Sequence, residues 1–181
     1  MKSNRCGEDY MRAIRVADSD HSRVLMDEDA ERPKPGFGEV LIRVAAAGIM
    51  LSELSWYPTS HRKTGEPRVG AIPGHEFSGL IADVGEGVGE LSVGHEVFGV
   101  NDWYFDGAMA EYCTAPFFAV APKPSSLSLT QAASVPISAL TAWQALFDHA
   151  KLRRGETILI HVGAGAVGIF AIQLAIFLAL M

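Results

Sequence analysis

The stretch HVGAGAVGIFAIQLAIFLALM, His161–Met181, combines a glycine pattern with a long apolar run. Its glycines, Gly163, Gly165 and Gly168, have the spacing G-x-G-x-x-G. The mostly apolar segment before them, Thr157–Val162, is predicted to be a strand, and the charge-free segment after them is predicted to be a helix. Between a strand and a helix, this spacing favours a phosphate-binding loop over an ordinary glycine-rich turn.

Each glycine has a separate role in such a loop. Gly163 allows a sharp turn, Gly165 lets the backbone approach a pyrophosphate, and Gly168 lets the helix pack closely on the strand. The helix N-terminus then presents N–H groups and a partial positive charge to the phosphates. The residue that binds the ribose is expected roughly 20 residues further on, past Met181, so the sequence does not distinguish NAD from NADP.

Composition limits the classes of protein that the chain can represent. Its 181 residues suffice for one domain and the start of another, and 18 glycines with 9 prolines favour many short strands. A net charge of -6 does not favour binding to nucleic acid, which requires a basic surface. Two distant cysteines form no disulfide framework, and the charged N-terminus does not resemble a signal peptide, so we expect a cytoplasmic protein.

Hydrophobic patterning divides the chain into three parts. Residues 1–10 are polar and are predicted to be a disordered extension. Closely spaced strands in residues 11–127 predict a barrel-like β domain; they are MRAIRV, GEVLIRVAAAGI, FSGLIADVG, HEVFGV and AMAEYCTAP. Residues 128–181 have helical spacing followed by the glycine loop, and Ser128 or Thr130 is expected to cap the first helix.

The order of several motifs resembles the medium-chain dehydrogenase/reductase superfamily, especially its zinc-independent, quinone-oxidoreductase-like branch. The motifs are AAAGI, IPGHEFSGLIADVGEGV, VGHEVFGV, GAMAEYC, AASVPISALTAWQAL and GETILIHVGAGAVGIFAIQLA. The resemblance implies a mainly β GroES-like barrel followed by an incomplete α/β Rossmann domain that contains only its first βα unit. It also implies hydride transfer from a nicotinamide cofactor to a small-molecule substrate.

The same resemblance implies which residues form the site. Thr141 would approach the nicotinamide, and the loop from Met50 to Tyr57 would face the substrate. The expected cofactor is NADP, with NAD left open, and a homodimer is also left open. The candidate catalytic residues are Tyr57, Ser52, Glu53 and Thr141; the pyrophosphate would be held by Gly163, Ala164, Gly165, Ala166, Val167 and Gly168.

The residues that match the metal ligands of zinc-type relatives predict no zinc. His75 in PGHEFSG is similar to a zinc-binding histidine, but Met50 and Ile137 occupy the positions of two cysteine ligands. A thioether and an alkyl chain cannot replace thiolates on Zn²⁺, so a site would need other ligands such as Glu53 or Asp102. We expect His75 to be a hydrogen-bonded residue near the edge of the barrel.

Without a metal to polarise a carbonyl, a quinone or an activated C=C bond is the favoured hydride acceptor. Tyr57, Tyr104, Ser52 and His61 lie in predicted loops and are candidate proton donors, although the sequence identifies no partner for any of them.

The C-terminal segment leaves three alternatives: a truncated or frame-shifted reading frame, a fragment of a longer enzyme, or a membrane anchor. The helix from Ala166 is too short for a span, and Gln173 interrupts it. We therefore expect weak or absent NAD(P)H binding by this chain alone. An inactive remnant or interaction module and a relative of zinc-type alcohol dehydrogenases are the alternative functions.

Overall fold

A computed structural model describes residues 9–19 and 22–180. The chain forms two compact units, Met1–Ser134 and Val135–Met181, which we call the first and second unit. Residues 1–8 of the predicted N-terminal extension lie outside the described residues. The predicted domain boundary after residue 127 stays a prediction.

The first unit is built from antiparallel strands. Strand β1, Tyr10–Ser19, pairs with β2, Ser22–Glu31, in a two-stranded sheet. A five-stranded sheet has the order β6-β3-β4-β5-β7. Its strands are β3 (Glu39–Gly48), β4 (Glu76–Val84), β5 (Glu96–Val100), β6 (Tyr112–Pro116) and β7 (Val120–Pro122). The mainly β fold class predicted from strand spacing is confirmed.

The core of the five-stranded sheet consists of alternating residues from neighbouring strands. Val40, Ile42, Phe77 and Val97 are fully buried, and Ile81 is 1% exposed. Burial of such a side chain contributes roughly 1.5–3 kcal/mol, so this cluster is a main source of the unit's stability.

Two strands of the first unit were not predicted. In β2, three successive residues, Val24, Leu25 and Met26, are 42–49% exposed, so no alternation marks the strand. It forms because its backbone pairs along its whole length with β1. Strand β7 has only three residues and pairs with β5.

Short helices complete the first unit. The connection between β3 and β4 contains a 3₁₀ helix, Leu51–Ser55, and helix α1, Tyr57–Ser60. Helix α2, Leu129–Ala133, begins after a capping box in which Ser128 accepts from the Gln131 N–H. Ser128 is therefore the N-cap of this helix, and it was one of the two residues predicted for that position.

The second unit is helical throughout its assigned secondary structure. Helix α3, Pro136–Trp143, continues into a π-helical turn, Gln144–His149, and α4 spans Ala166–Leu180. Buried Ala142, Leu146 and Ala171 form its small core. No helix in residues 9–19 and 22–180 is long and apolar enough to cross a membrane.

The prediction of a strand at Thr157–Val162 was wrong, because this segment forms no strand in the structure. A strand requires a hydrogen-bonded neighbour, and no described strand pairs with this segment. Leu159 is consequently 79% exposed and Val162 81% exposed, whereas Ile160 packs against the core of the second unit.

Cys113 should be chemically inert in the folded chain. It is 1% exposed on β6, and burial raises the pKa of its thiol, so the reactive thiolate is scarce. In a Cys6→Ser variant, we expect DTNB to modify Cys113 at the rate at which the first unit opens. Labelling in native buffer should accelerate steeply with denaturant, and rapid modification in native buffer would contradict the buried placement.

Candidate active site

The 3₁₀ helix and α1 turn the chain so that one acidic side chain points inward. The Glu53 carbonyl accepts hydrogen bonds from the Trp56 N–H, at 3.1 Å, and from the Thr59 hydroxyl, at 2.6 Å. Thr59 is itself 3% exposed. These two bonds fix the backbone from which the Glu53 carboxylate enters the interior.

A buried carboxylate–imidazole pair lies where this segment meets the start of β4. Glu53 and His75 are each 1% exposed. One carboxylate oxygen of Glu53, Oε1, accepts from the Gly74 N–H at 2.7 Å and bonds to Nδ1 of His75. A buried carboxylate is tolerated when such donors replace water. The geometry makes Nδ1 the protonated nitrogen that faces the carboxylate.

Two indole rings lie next to the pair. The Trp103 ring is centred 5.4 Å from the His75 ring, and the Trp56 ring is centred 5.2 Å from Trp103 in an edge-on arrangement. Trp103 is 37% exposed. Nε2 of His75 is buried and has no hydrogen-bond partner among the described residues. The arrangement thus combines an available imidazole nitrogen with aromatic neighbours.

Asp102 adds a second negative charge near His75. Partial burial acts to raise the pKa of Asp102, but hydrogen bonds from Lys63 and the Tyr104 N–H outweigh it, so the pKa lies below its ordinary value. The Lys63 ammonium is 2.9 Å from the carboxylate. The backbone carbonyl of Asp102 also accepts a hydrogen bond from the Phe105 N–H at 3.0 Å, so Asp102 lies in a turn.

In the second unit, the glycine loop forms a turn that leads directly into α4. The Gly165 N–H donates to the Val162 carbonyl at 2.9 Å, and the first helical bond joins the Ile169 N–H to the Gly165 carbonyl at 3.0 Å. The N–H groups of Ala166, Val167 and Gly168 therefore have no acceptor within the helix. Such amides are suited to binding phosphate oxygens.

Gly168 permits close packing within the loop, while the left-handed turn relies on Val162. A Cβ at Gly168 would overlap the Val162 carbonyl and lie 2.7 Å from the Gly163 Cα. The predicted close approach at Gly168 is confirmed. The left-handed conformation, however, belongs to Val162, at φ 56°, and not to Gly163, which was expected to make the sharp turn.

An apolar cavity of about 520 Å³ opens beside the loop. Its lining includes Ala142, Leu146, Ile160, Gly165 and Gly168. A cavity of this volume is within the range of small-molecule sites.

Comparison with known proteins explains why the β-rich first unit and the glycine loop of the second unit occur in one chain. The sequence model of the alcohol dehydrogenase GroES-like domain matches residues 36–125. Quinone oxidoreductase from Rattus norvegicus is 34% identical over 170 residues, which cover 93% of this chain and 50% of the relative. Among solved structures, quinone oxidoreductase from Coxiella burnetii has a TM-score of 0.79 and 31% identity over 94% of this chain and 54% of its own. The chain belongs to the medium-chain dehydrogenase/reductase superfamily. A further member, mycobacterial Rv1454c complexed with NADPH, has a TM-score of 0.75 and 32% identity over 93% of this chain and 51% of its own.

The fold class follows from this membership. The first unit of this medium-chain dehydrogenase/reductase chain contains the GroES-like domain, and the second contains part of a Rossmann domain. The chain spans about half the length of the curated quinone oxidoreductases that it matches.

The predicted catalytic residues occupy different environments. Ser52 is exposed, and Tyr57 is 53% exposed with its ring stacked on His61 at 4.3 Å between centroids. Glu53 is buried. Thr141 is exposed on α3, where its hydroxyl donates to the Ile137 carbonyl at 2.7 Å. Their catalytic roles stay predictions.

The superfamily's zinc-type members raise the question of a metal. Within the ranges 9–19 and 22–180, no three His, Cys, Asp or Glu side chains come together as a metal-ligating group. At the positions of two thiolate ligands the chain has Met50 and Ile137, and neither side chain suits Zn²⁺. The donor set does not fit a catalytic zinc, and the expected absence of zinc stays a prediction.

The pairing of Glu53 with His75 was missed at the level of sequence. Each residue was considered, Glu53 as a catalytic candidate and His75 as a hydrogen-bonded residue, but they are 22 positions apart. No spacing rule joins a residue of an irregular segment to the start of a strand. Their contact depends on how the segment after β3 folds back.

Glu53→Ala should strongly destabilise the first unit. The change leaves the Gly74 N–H and His75 Nδ1–H buried without an acceptor, so we expect a loss of about 3 kcal/mol in the free energy of unfolding. Urea unfolding followed by tryptophan fluorescence measures it. The exposed Glu90 provides a matched control, and Glu90→Ala should change the free energy by less than about 0.5 kcal/mol. Equal effects of the two changes would contradict the role of the buried pair.

Gly168→Ala should disturb the packing of α4. Because the new methyl group would overlap the Val162 carbonyl, the helix must move, at a cost of about 1–3 kcal/mol. Far-ultraviolet circular dichroism during urea unfolding measures the loss of helix. Gly89→Ala is the control because nothing lies within 4 Å of a Cβ at that position. If the two variants unfold at the same urea concentration, the close approach at Gly168 is wrong.

Proposed function

We propose that this chain belongs to an NADPH-dependent oxidoreductase that transfers hydride to a quinone or to an activated enone or carbonyl, without zinc. The observation that carries the proposal is the glycine loop at the start of α4, which leaves the amides of Ala166, Val167 and Gly168 available for a diphosphate. The quinone oxidoreductases among the relatives support the choice of acceptor.

The second unit is proposed to hold the cofactor. When bound, the nicotinamide supplies the hydride, whereas the protein orients the cofactor and excludes water. The diphosphate would rest on the loop from Gly163 to Gly168, and the exposed Thr141 hydroxyl would approach the nicotinamide. A related mycobacterial structure in complex with NADPH favours NADP over NAD, and NAD stays an alternative.

The first unit is proposed to bind the acceptor. Tyr57 and Ser52 are exposed, so their hydroxyl groups can reach a small-molecule substrate and donate a proton to it. Glu53 is buried and cannot contact the substrate directly. Its proposed role is to orient His75, which the carboxylate contacts.

NADPH oxidation in the presence of a panel of quinones tests the proposal. We expect quinone-dependent oxidation that decreases about tenfold or more in Tyr57→Phe, because the change removes the proposed proton donor and keeps the ring. Tyr10→Phe is the control, since Tyr10 is a similarly exposed tyrosine on β1. Calorimetry should give a dissociation constant for NADPH above about 100 μM, because one loop supplies the identified contacts. Micromolar affinity would contradict the expected weak binding, and equal rates for both variants would exclude Tyr57 as the donor.

One observation favours a second candidate, an inactive remnant or an interaction module. Four large apolar residues of α4, Ile169, Ile172, Ile176 and Phe177, are 39–63% exposed. Exposed apolar patches of this kind promote association. Concentration-dependent self-association in light scattering, without any quinone-dependent NADPH oxidation, would favour this candidate. Stoichiometric zinc in the purified chain would instead favour a relative of the zinc-type alcohol dehydrogenases.

A further inference from the structure

Strand β2 has one edge without a neighbouring strand. The two-stranded sheet contains only β1 and β2, and within residues 9–19 and 22–180 no other strand or isolated bridge pairs with β2. The side chains from Val24 to Asp29 are all exposed, so both faces of this part of the strand are open to solvent. A long exposed edge strand is a template for pairing with another chain.

The contacts of β1 show which backbone groups of β2 lie on the free edge. The N–H groups of Ile14 and Val16 donate to carbonyls outside the two-stranded sheet, at 2.7 and 2.9 Å, so both point away from β2. Ile14 lies opposite Asp27 in the register, and Val16 lies opposite Leu25. Opposite residues of an antiparallel pair exchange either both of their hydrogen bonds or neither. The N–H and C=O groups of Asp27 and Leu25 therefore point away from β1.

The same alternation extends the free edge to Asp29. This residue lies opposite Arg12, whose carbonyl accepts from the Glu111 N–H at 3.0 Å and thus also points away from β2. Leu25, Asp27 and Asp29 hence each present an N–H donor and a C=O acceptor on the outer edge. None of these groups has a backbone partner among the described residues. Such a row of donors and acceptors matches the backbone of one further extended strand.

The side chains of β2 determine the chemistry of that further strand. The first part of β2 is apolar, with Val24, Leu25 and Met26 42–49% exposed. The second part carries four exposed carboxylates, those of Asp27, Glu28, Asp29 and Glu31. Asp27 is paired with Arg12, and the other three have no ion-pair partner in the part of the chain that the structure describes. Opposite charges on adjacent strands are favourable and like charges are unfavourable. The edge thus favours a basic strand, whereas a second copy of this chain would bring four more carboxylates to the interface.

We propose that the free edge of β2 binds an extended basic segment of a partner protein, which adds to the sheet as a third strand. The segment pairs with the outward backbone groups of Leu25, Asp27 and Asp29, and its basic side chains lie beside the carboxylates. Its apolar side chains contact Val24 and Met26. The inference goes beyond the proposed function, since it involves neither the glycine loop nor the buried pair of Glu53 and His75.

A short capped peptide of alternating valine and lysine is the probe, and it is added to the full chain. We expect saturable binding with a dissociation constant on the order of 100 μM at low salt, weakening as salt screens the exposed charges. The same peptide with glutamate in place of lysine should not bind. The lysine peptide with every backbone amide methylated keeps its charges but has no N–H donor, so it should bind about tenfold more weakly or worse. Equal binding by either control peptide would overturn the proposal.

Amide hydrogen exchange shows whether the peptide adds as a strand. The lysine peptide should slow exchange about tenfold or more at Leu25, Asp27 and Asp29, because their N–H groups gain acceptors. The N–H groups of Met26 and Glu28 already point toward β1 and should change little. Protection without this alternation would contradict the proposal. Protection of the same amides that rises with protein concentration, in the absence of peptide, would assign the edge to a second copy and also overturn it.

Variants separate the backbone contribution from the charge. Leu25→Pro removes one outward N–H without removing a bond to β1, so binding should weaken about tenfold with the hairpin intact. Asp29→Asn should weaken binding about threefold and reduce its salt dependence. Glu90→Gln is the matched control, because Glu90 is an exposed carboxylate outside β2, and it should bind as the native chain does. Native affinity in both Leu25→Pro and Asp29→Asn would exclude this edge. Should Leu25→Pro fail to fold, the exchange pattern of the native chain decides the question.

Discussion

The connection between β3 and β4 depends on the burial of the Glu53 carboxylate. Glu53 enters the interior from a short 3₁₀ helix and binds both the Gly74 N–H and the His75 ring at the start of β4. A charge in this environment is stable only if donors replace the water that it has lost. The irregular connection between β3 and β4 is therefore attached to the sheet at the point where the candidate site residues lie. The hydrogen bonds of Glu53 to Gly74 and His75 hold the connection against the sheet.

The second unit combines one close backbone contact with a large exposed apolar surface. Its glycine loop and α4 pack closely, since Gly168 has room for no side chain against Val162 and Gly163. Around this tight contact, however, much apolar surface faces solvent, including Leu159 at 79% and Phe177 at 63% exposure. A parallel strand requires neighbours, and the segment Thr157–Val162 has none among the described residues. The unit thus presents a closely packed glycine loop on a small core.

Prediction from sequence was most successful where local pattern and burial agree. Alternation in Val40 and Ile42 predicted β3, and the Ser128 cap predicted the start of α2. It failed for β2, where consecutive apolar residues are exposed and only pairing with β1 defines the strand. It also failed at Thr157–Val162, where the apolar composition suits a strand but the hydrogen-bonded neighbours are missing from the described residues. At the glycine loop the spacing predicted the close contact of Gly168, but not that Val162 would adopt the left-handed conformation.

In the sequence by itself, the order of its motifs resembled the superfamily, while strand periodicity and glycine spacing predicted the mainly β first unit and the position of the glycine loop. The sequence also named Glu53, Ser52, Tyr57 and His75 as residues of interest. Only the tertiary structure decided that Glu53 is buried against His75 while Ser52 and Tyr57 remain exposed. The physical reason is that Glu53 and His75 come from elements 22 positions apart. Whether two such side chains meet depends on how the intervening segment folds back, which no local pattern encodes.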